Sequence, residues 1–289
     1  MKTQKKQTPI TFLLVLLFCM DSILSFGQNS ENNDAIPTVI STAPIKYRVN
    51  ERDGKTSHGY YSKGYNLSIY GDTNLIGYRA DCDMDDDWSG ANPEGTTQDS
   101  NSFESKYRCV FNPHKLYGTV LPGSKNGQNH YDGFKRVGVE VGDISITIKI
   151  DSEGKVVDTV LGVVFDRGPH NQPGESSVAT CKKLKVMTDN NEYIYVIYPN
   201  SSKFLKQVIG TMPNSNKLKR NPTNADVEKA FQLMSTQDSE NNDKRIALKK
   251  RMLQFLSSQP MKSYFDNPTD IEKREGRQKP RNNDRNANE

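Results

Sequence analysis

Between residues 46 and 210 the chain runs in short beats of β-prone residues separated by Gly, Pro or Asn. Such runs fall at 65–70, 75–78, 115–121, 144–150, 156–165 and 193–198. In one of them Ile144, Ile146, Ile148 and Ile150 alternate with Ser145, Thr147 and Lys149, the period of a strand with one face buried. The turn-forming residues 151–154 (DSEG) then lead into KVVDTVLGVVF, as the second arm of a hairpin would follow the first. Short strands in this number predict a mainly β fold, a single β-barrel-like domain over residues 46–210.

Past Pro213 the period changes. Residues 226–234 and 243–256 have helical spacing, with Ile246, Leu248, Met252, Leu253 and Leu256 apolar among Lys and Arg. Asn224 and Asn242 are the N-cap candidates. Residues 216–265 therefore read as a short helical extension, a solvated appendage packed on the β domain. Residues 266–289 are almost wholly charged or polar and are expected to be a disordered tail. Residues 28–45, polar and rich in Asn, read as a leader with little to bury.

The N-terminus has the three parts of a signal peptide. Lys2, Lys5 and Lys6 precede an apolar run from Ile10 to Met20, and Ser25 and Gly27 supply the small residues of a cleavage site. The apolar run is too short to span a bilayer. A lipid-attachment reading through Cys19 is disfavoured by bulky Phe18. Residues 1–27 are thus expected to be removed near Gly27, leaving a secreted protein, extracellular or periplasmic. Cleavage leaves 36 basic against 34 acidic residues. With no strong global field, neither nucleic acid nor a membrane is an expected partner. Cys82, Cys109 and Cys181 remain. In an oxidising compartment one disulfide and one leftover thiol are expected. Their spacing matches no zinc site and leaves the pairing open, with Cys82–Cys109 slightly favoured.

Two segments concentrate chemistry. In the first, Asp81, Asp83, Asp85, Asp86 and Asp87 crowd five carboxylates into seven residues just before Trp88. Their repulsion must be offset by a metal, a cationic ligand or water. Asp83, Asp85 and Asp87 match positions 1, 3 and 5 of a calcium loop and Glu94 its position 12, but Trp88 stands where the sharp turn needs Gly. In an extended chain Asp81, Asp83, Asp85 and Asp87 share one face, a row suited to a polymer of ammonium groups, with Trp88 free to stack on a sugar ring. The second segment is LGVVFDRGPHNQPGESSV, residues 161–178. There Asp166 ends an apolar run, and Glu175 follows Pro173-Gly174 nine positions later. Glycosidic hydrolysis commonly needs two such carboxyls, one protonated and one ionised.

Taken together, these segments resemble family 75 glycoside hydrolases, the chitosanases best known from fungi. The family's Asp-rich DMDIDCDG segment is similar to residues 81–90, and its GDTGP…GEAS segment to 165–169 and 174–177. A "pGD" strand start is similar to Val141-Gly142-Asp143-Ile144, and a "YivFpgS" segment to residues 193–201. The four occur in the family's order over residues 65–205. Phe165 and Arg167 stand where the family has Gly and Thr, and Trp88-Ser89 is inserted before Gly90.

The resemblance implies a hydrolase, a glycosidase of polysaccharide degradation, that cleaves chitosan internally with inversion. By motif, Asp166 and Glu175 would be its catalytic pair. The expected substrate-binding residues are Asp81, Asp83, Asp85, Asp87 and Trp88. A monomer without cofactor or metal is expected. The alternative is a non-catalytic secreted module that binds glycan or calcium through residues 81–87.

Overall fold

The computed structural model describes residues 37–49, 60–80, 82–85, 102–123, 134, 136–170, 174–186 and 193–259, all within one compact unit, Ile36–Glu289. The expected signal peptide, the start of the leader and the charged tail lie outside the described residues. In chain order the elements are β1 (Val39–Val49), β2 (Tyr60–Gly71), β3 (Ile76–Ala80), β4 (Asp83–Asp85), α1 (Phe103–Tyr107), β5 (Gly118–Gly123) and β6 (Ile144–Ile150). There follow β7 (Val156–His170), β8 (Glu175–Ser177), α2 (Val178–Leu184), β9 (Tyr193–Tyr198), α3 (Ser202–Ile209), α4 (Asn224–Gln237) and α5 (Ser239–Ser258).

The fold is mainly β, as the short apolar runs predict. All nine strands join one mixed sheet, ordered β1-β2-β3-β9-β6-β7-β5-β8-β4. It is not a closed barrel: the order ends at β1 on one side and at three-residue β4 on the other. The β6–β7 hairpin forms as expected, with Ile144 opposite Val163 and Ile148 opposite Thr159. Its turn is held by Asp151, whose side chain accepts from the backbone of Glu153 and Lys155, and by Gly154 at φ +79°. A positive φ is unstrained only for glycine.

One detail of β6 differs from its pattern. The polar face is buried too, against Thr119 of β5 and the end of α2 at Leu184. Its polar groups find partners there. Ser145 Oγ donates to Thr119 Oγ1 at 3.2 Å, the Thr119 and Thr147 hydroxyls stand 3.1 Å apart, and Lys149 Nζ donates to the Leu184 carbonyl at 3.0 Å. Buried hydroxyls and amines are tolerated when they are paired in this way.

The leader is shorter than its composition suggests. From Val39 onward it is an edge strand paired antiparallel to β2. The β-branched residues of IPTVIST account for this, and Pro44 is admissible because an edge strand leaves half its amides unpaired.

Nor are the C-terminal helices an appendage. Val227, Ala230 and Met234 of α4, and Leu248, Met252, Leu253 and Leu256 of α5, belong to the same core as the sheet. A Cβ on Gly77 of β3 would stand 2.1 Å from Met252 Sδ, so α5 rests on bare backbone there. Polar clamps reinforce the contact. Arg79 donates to the carbonyls of Leu256 and Gln259 at 2.8 and 2.6 Å, closing the C-terminal end of α5. Of the five apolar positions expected on α5, Ile246 alone faces water, at 50% exposure.

The cap of α4 is Thr223 rather than Asn224. Thr223 and Asp226 form a reciprocal capping box, completed by a two-pronged ion pair from Arg220 at 2.6 and 2.7 Å. Asn224 instead accepts from Tyr117 N and donates to Lys115 O, tying the helix to the entry of β5. For α5 the cap position is Asp238, and Asn242 lies inside the helix.

Candidate active site

The loop that carries Asp166 and Glu175 in sequence is pulled apart in space. Asp166 sits in β7 and Glu175 opens β8, with β5 between them. Val120 of β5 is opposite Asp166, and Thr119 is opposite Ser176. Paired residues share a face and successive residues alternate, so Asp166, Val120 and Glu175 fall on one face of the sheet. Two strand spacings separate the backbones by about 9–10 Å. Both side chains are 7% exposed.

Phe165 produces this placement. Thr119 pairs with Val164, and the next residue, Val120, pairs with Asp166, so Phe165 is an extra residue in β7. Strict alternation from Val164 would turn Asp166 toward the opposite face, that of Thr119 and Ser176. The bulge re-aims it. Phe165 itself goes into the core, stacked on Phe111 at 4.4 Å and nearly parallel. Gly118 makes room, since a Cβ there would lie 2.5 Å from Phe165 Cδ1.

Around Asp166, the backbone amide of Arg167 donates to Oδ1 at 2.7 Å. The Arg167 side chain is half-buried. Burial pulls its guanidinium below the ordinary arginine value, while the charges of Asp166 and Glu140 work the other way. Its Nε is buried with no hydrogen-bond partner among the described residues.

At the start of β8 the backbone is held by an aromatic pair. Tyr195 donates its hydroxyl to the carbonyl of Gly174 at 2.9 Å, one residue before Glu175. Tyr78 stacks on Tyr195 at 5.0 Å, and its fully buried hydroxyl has no hydrogen-bond partner among the described residues. Burial raises the Tyr78 phenol well above its ordinary value, and the nearby charges of Cys82 and Glu175 add to the rise. Neither tyrosine stands out in the sequence, because each lies in an apolar run. The available signal was chemical: a tyrosine inside such a run needs a partner for its hydroxyl.

The two acid-bearing segments meet. β4 runs parallel to β8, with Asp83 opposite Glu175, Met84 opposite Ser176 and Asp85 opposite Ser177. Asp85 is half-buried. Asp81, Asp87, Trp88 and Glu94 lie outside the described residues, as does the Asp83 side chain. Among the described residues no cluster of three or more His, Cys, Asp or Glu side chains is placed to hold a metal.

Asp143, from the strand-start motif, supports the frame. Buried at the head of β6, it accepts backbone N–H bonds from Glu140, Asn200 and Ser202, joining β6 to the start of α3. Burial pushes its carboxyl up to about 7 against the pull of those donors.

The cysteines correct the favoured pairing. The sulfur beside Cys82 is that of Cys181, at 3.8 Å. Cys109 follows α1 near Glu104, its thiol pushed up to about 12 by burial and then by that carboxylate.

No protein-family model matches the chain, and no curated protein is similar enough to serve as a relative.

Proposed function

We propose that the protein is a secreted endo-acting glycoside hydrolase that cleaves the β-1,4 bonds of chitosan, or of a related amino-sugar polymer, with inversion. The observation that carries this reading is the shared face of Asp166 and Glu175, on strands two apart. Inverting enzymes hold their carboxyls about 6.5–9.5 Å apart, leaving space for a water between base and sugar. Backbones about 9–10 Å apart allow side chains to span that range.

In this reading Asp166 is the base. It accepts the Arg167 amide, which suits an ionised acceptor, and would take a proton from water as that water attacks the anomeric carbon. Glu175, which follows the Gly174 carbonyl held by the Tyr195 hydroxyl, is the acid that protonates the leaving glycosidic oxygen. Asp83 and Asp85 run beside it through the β4–β8 pairing, and the acid-rich segment to which they belong would take the substrate's ammonium groups.

The test is a reducing-end assay on soluble chitosan with the purified mature protein. New reducing ends, with product of inverted anomeric configuration, are expected. Exposed charge pairs are worth roughly 0.2–1 kcal/mol each, so binding should weaken with salt and with acetylation of the sugar. Tight binding without turnover would favour a non-catalytic glycan-binding module. A strict calcium requirement for that binding would favour the metal-loop reading.

A further inference from the structure

We propose that Cys82 and Cys181 close into a disulfide that fastens the acid-rich segment to the strand and helix carrying Glu175, leaving Cys109 as the free thiol. Cys82 immediately precedes β4, and Cys181 lies in the first turns of α2, which begins directly after β8. The two sulfurs thus flank the same β4–β8 ladder that aligns Asp83 with Glu175. They stand 3.8 Å apart, and a disulfide bond is about 2.0 Å long. Rotation of the two side chains about their Cα–Cβ bonds is the movement that would close that gap. Both residues are buried, Cys82 at 7% and Cys181 at 0% exposure, so the bond once formed is reduced chiefly through chains that have opened on heating. The ladder it would secure needs securing, because β4 is a three-residue strand at the sheet edge and pairs with β8 alone.

The chemistry balances through thiol–disulfide exchange. One thiol loses its proton and attacks an external disulfide, such as oxidised glutathione or the oxidised dithiol of an exchange catalyst, releasing one thiol from it. The second thiolate then displaces the other. The protein loses two electrons and two protons overall, and the oxidant gains them as two thiols. Inside the organism the oxidant depends on the export reading, so the experiment supplies its own.

The full-length mature chain is refolded in a glutathione redox buffer, its remaining thiols are capped with N-ethylmaleimide in denaturant, and peptides are mapped without reduction. A linked Cys82–Cys181 peptide with capped Cys109 is expected. Cys109→Ser should keep the link. Cys181→Ser should abolish it. Reductant should lower the Tm of the wild type by roughly 4–16 °C and leave that of Cys181→Ser unmoved. Capped Cys82 together with capped Cys181, or an intramolecular link through Cys109, overturns the proposal. An oxidised protein inactive on chitosan would end the hydrolase reading and leave the cross-link standing.

Discussion

Asp83 and Glu175 are register partners in the parallel ladder between β4 and β8, although 91 residues lie between them in sequence. Each belongs to a segment that is ambiguous by itself, because an acidic loop and a strand-ending acid are common on any surface. Pairing them makes the acidic row a neighbour of the candidate acid. A substrate held by its ammonium groups along β4 would therefore lie beside Glu175, with Asp166 on the same face two strands further in.

The first prediction concerns roles. Glu175→Gln and Asp166→Asn should each lower turnover on chitosan by a factor on the order of a hundred or more, with unchanged melting. An activated substrate whose leaving group needs no proton should separate them. Glu175→Gln should recover there and Asp166→Asn should not. Recovery of the Asp166 variant alone would reverse the assignment.

The second concerns the tyrosine pair. Tyr195→Phe removes the bond to the Gly174 carbonyl and leaves a buried acceptor unpaired, a cost of about 1–3 kcal/mol. Because Gly174 adjoins Glu175, turnover should fall roughly ten- to a hundredfold through misplacement of the acid, with KM little changed. Tyr78→Phe is the control: its hydroxyl has no hydrogen-bond partner among the described residues, so its loss should be neutral or stabilising in urea titrations. Equal destabilisation by both variants would contradict the role given to the Tyr195 bond.

Much of this was legible in the sequence where a pattern was long and regular. Strands β6 and β9 match their apolar runs residue for residue, and the hairpin turn was readable from DSEG. Placement was harder to read. The bulge at Phe165 leaves no mark in an unbroken apolar run, yet it decides which face Asp166 takes. The three-residue strands β4 and β8 are too short to show a period, and their pairing depends on the rest of the sheet. The Cys82–Cys181 proximity is likewise a product of tertiary packing.

The third prediction follows from the continuous core. A chain ending at Ser215 loses Val227, Ala230, Met234, Leu248, Met252, Leu253 and Leu256, all buried against the sheet or its covering helices. Each large apolar side chain so removed costs about 2–5 kcal/mol even as a single truncation to Ala, and native domains have only about 5–15 kcal/mol in hand. The truncated protein should show no cooperative thermal transition by circular dichroism. A sharp transition with retained β signal would mean that the helices are separable after all.

The last prediction sets two buried carboxylates against each other in pH. Asp226 is held down to about 2, first by the Arg220 hydrogen bonds and further by Thr223, with burial opposing. Its unfolded value is near 4, so its contribution is present above about pH 4 and is lost as pH falls toward 2. Asp143 behaves in the opposite sense. Burial raises its carboxyl to about 7, so its contribution is full below about pH 4 and is lost as pH rises through 7. The rise of about three units sets a ceiling on that loss of about 4 kcal/mol. Urea midpoints at pH 2, 4 and 8 should therefore fall on both sides of a maximum near pH 4. Asp226→Asn should flatten the acid limb. Asp143→Asn should flatten the neutral limb while lowering the whole curve, because an amide cannot accept all three backbone donors that hold Asp143. A wild-type midpoint that climbs from pH 4 to 8, with Asp143→Asn following it in parallel, would show that Asp143 is ionised in the native state throughout and that its three N–H donors outweigh its burial.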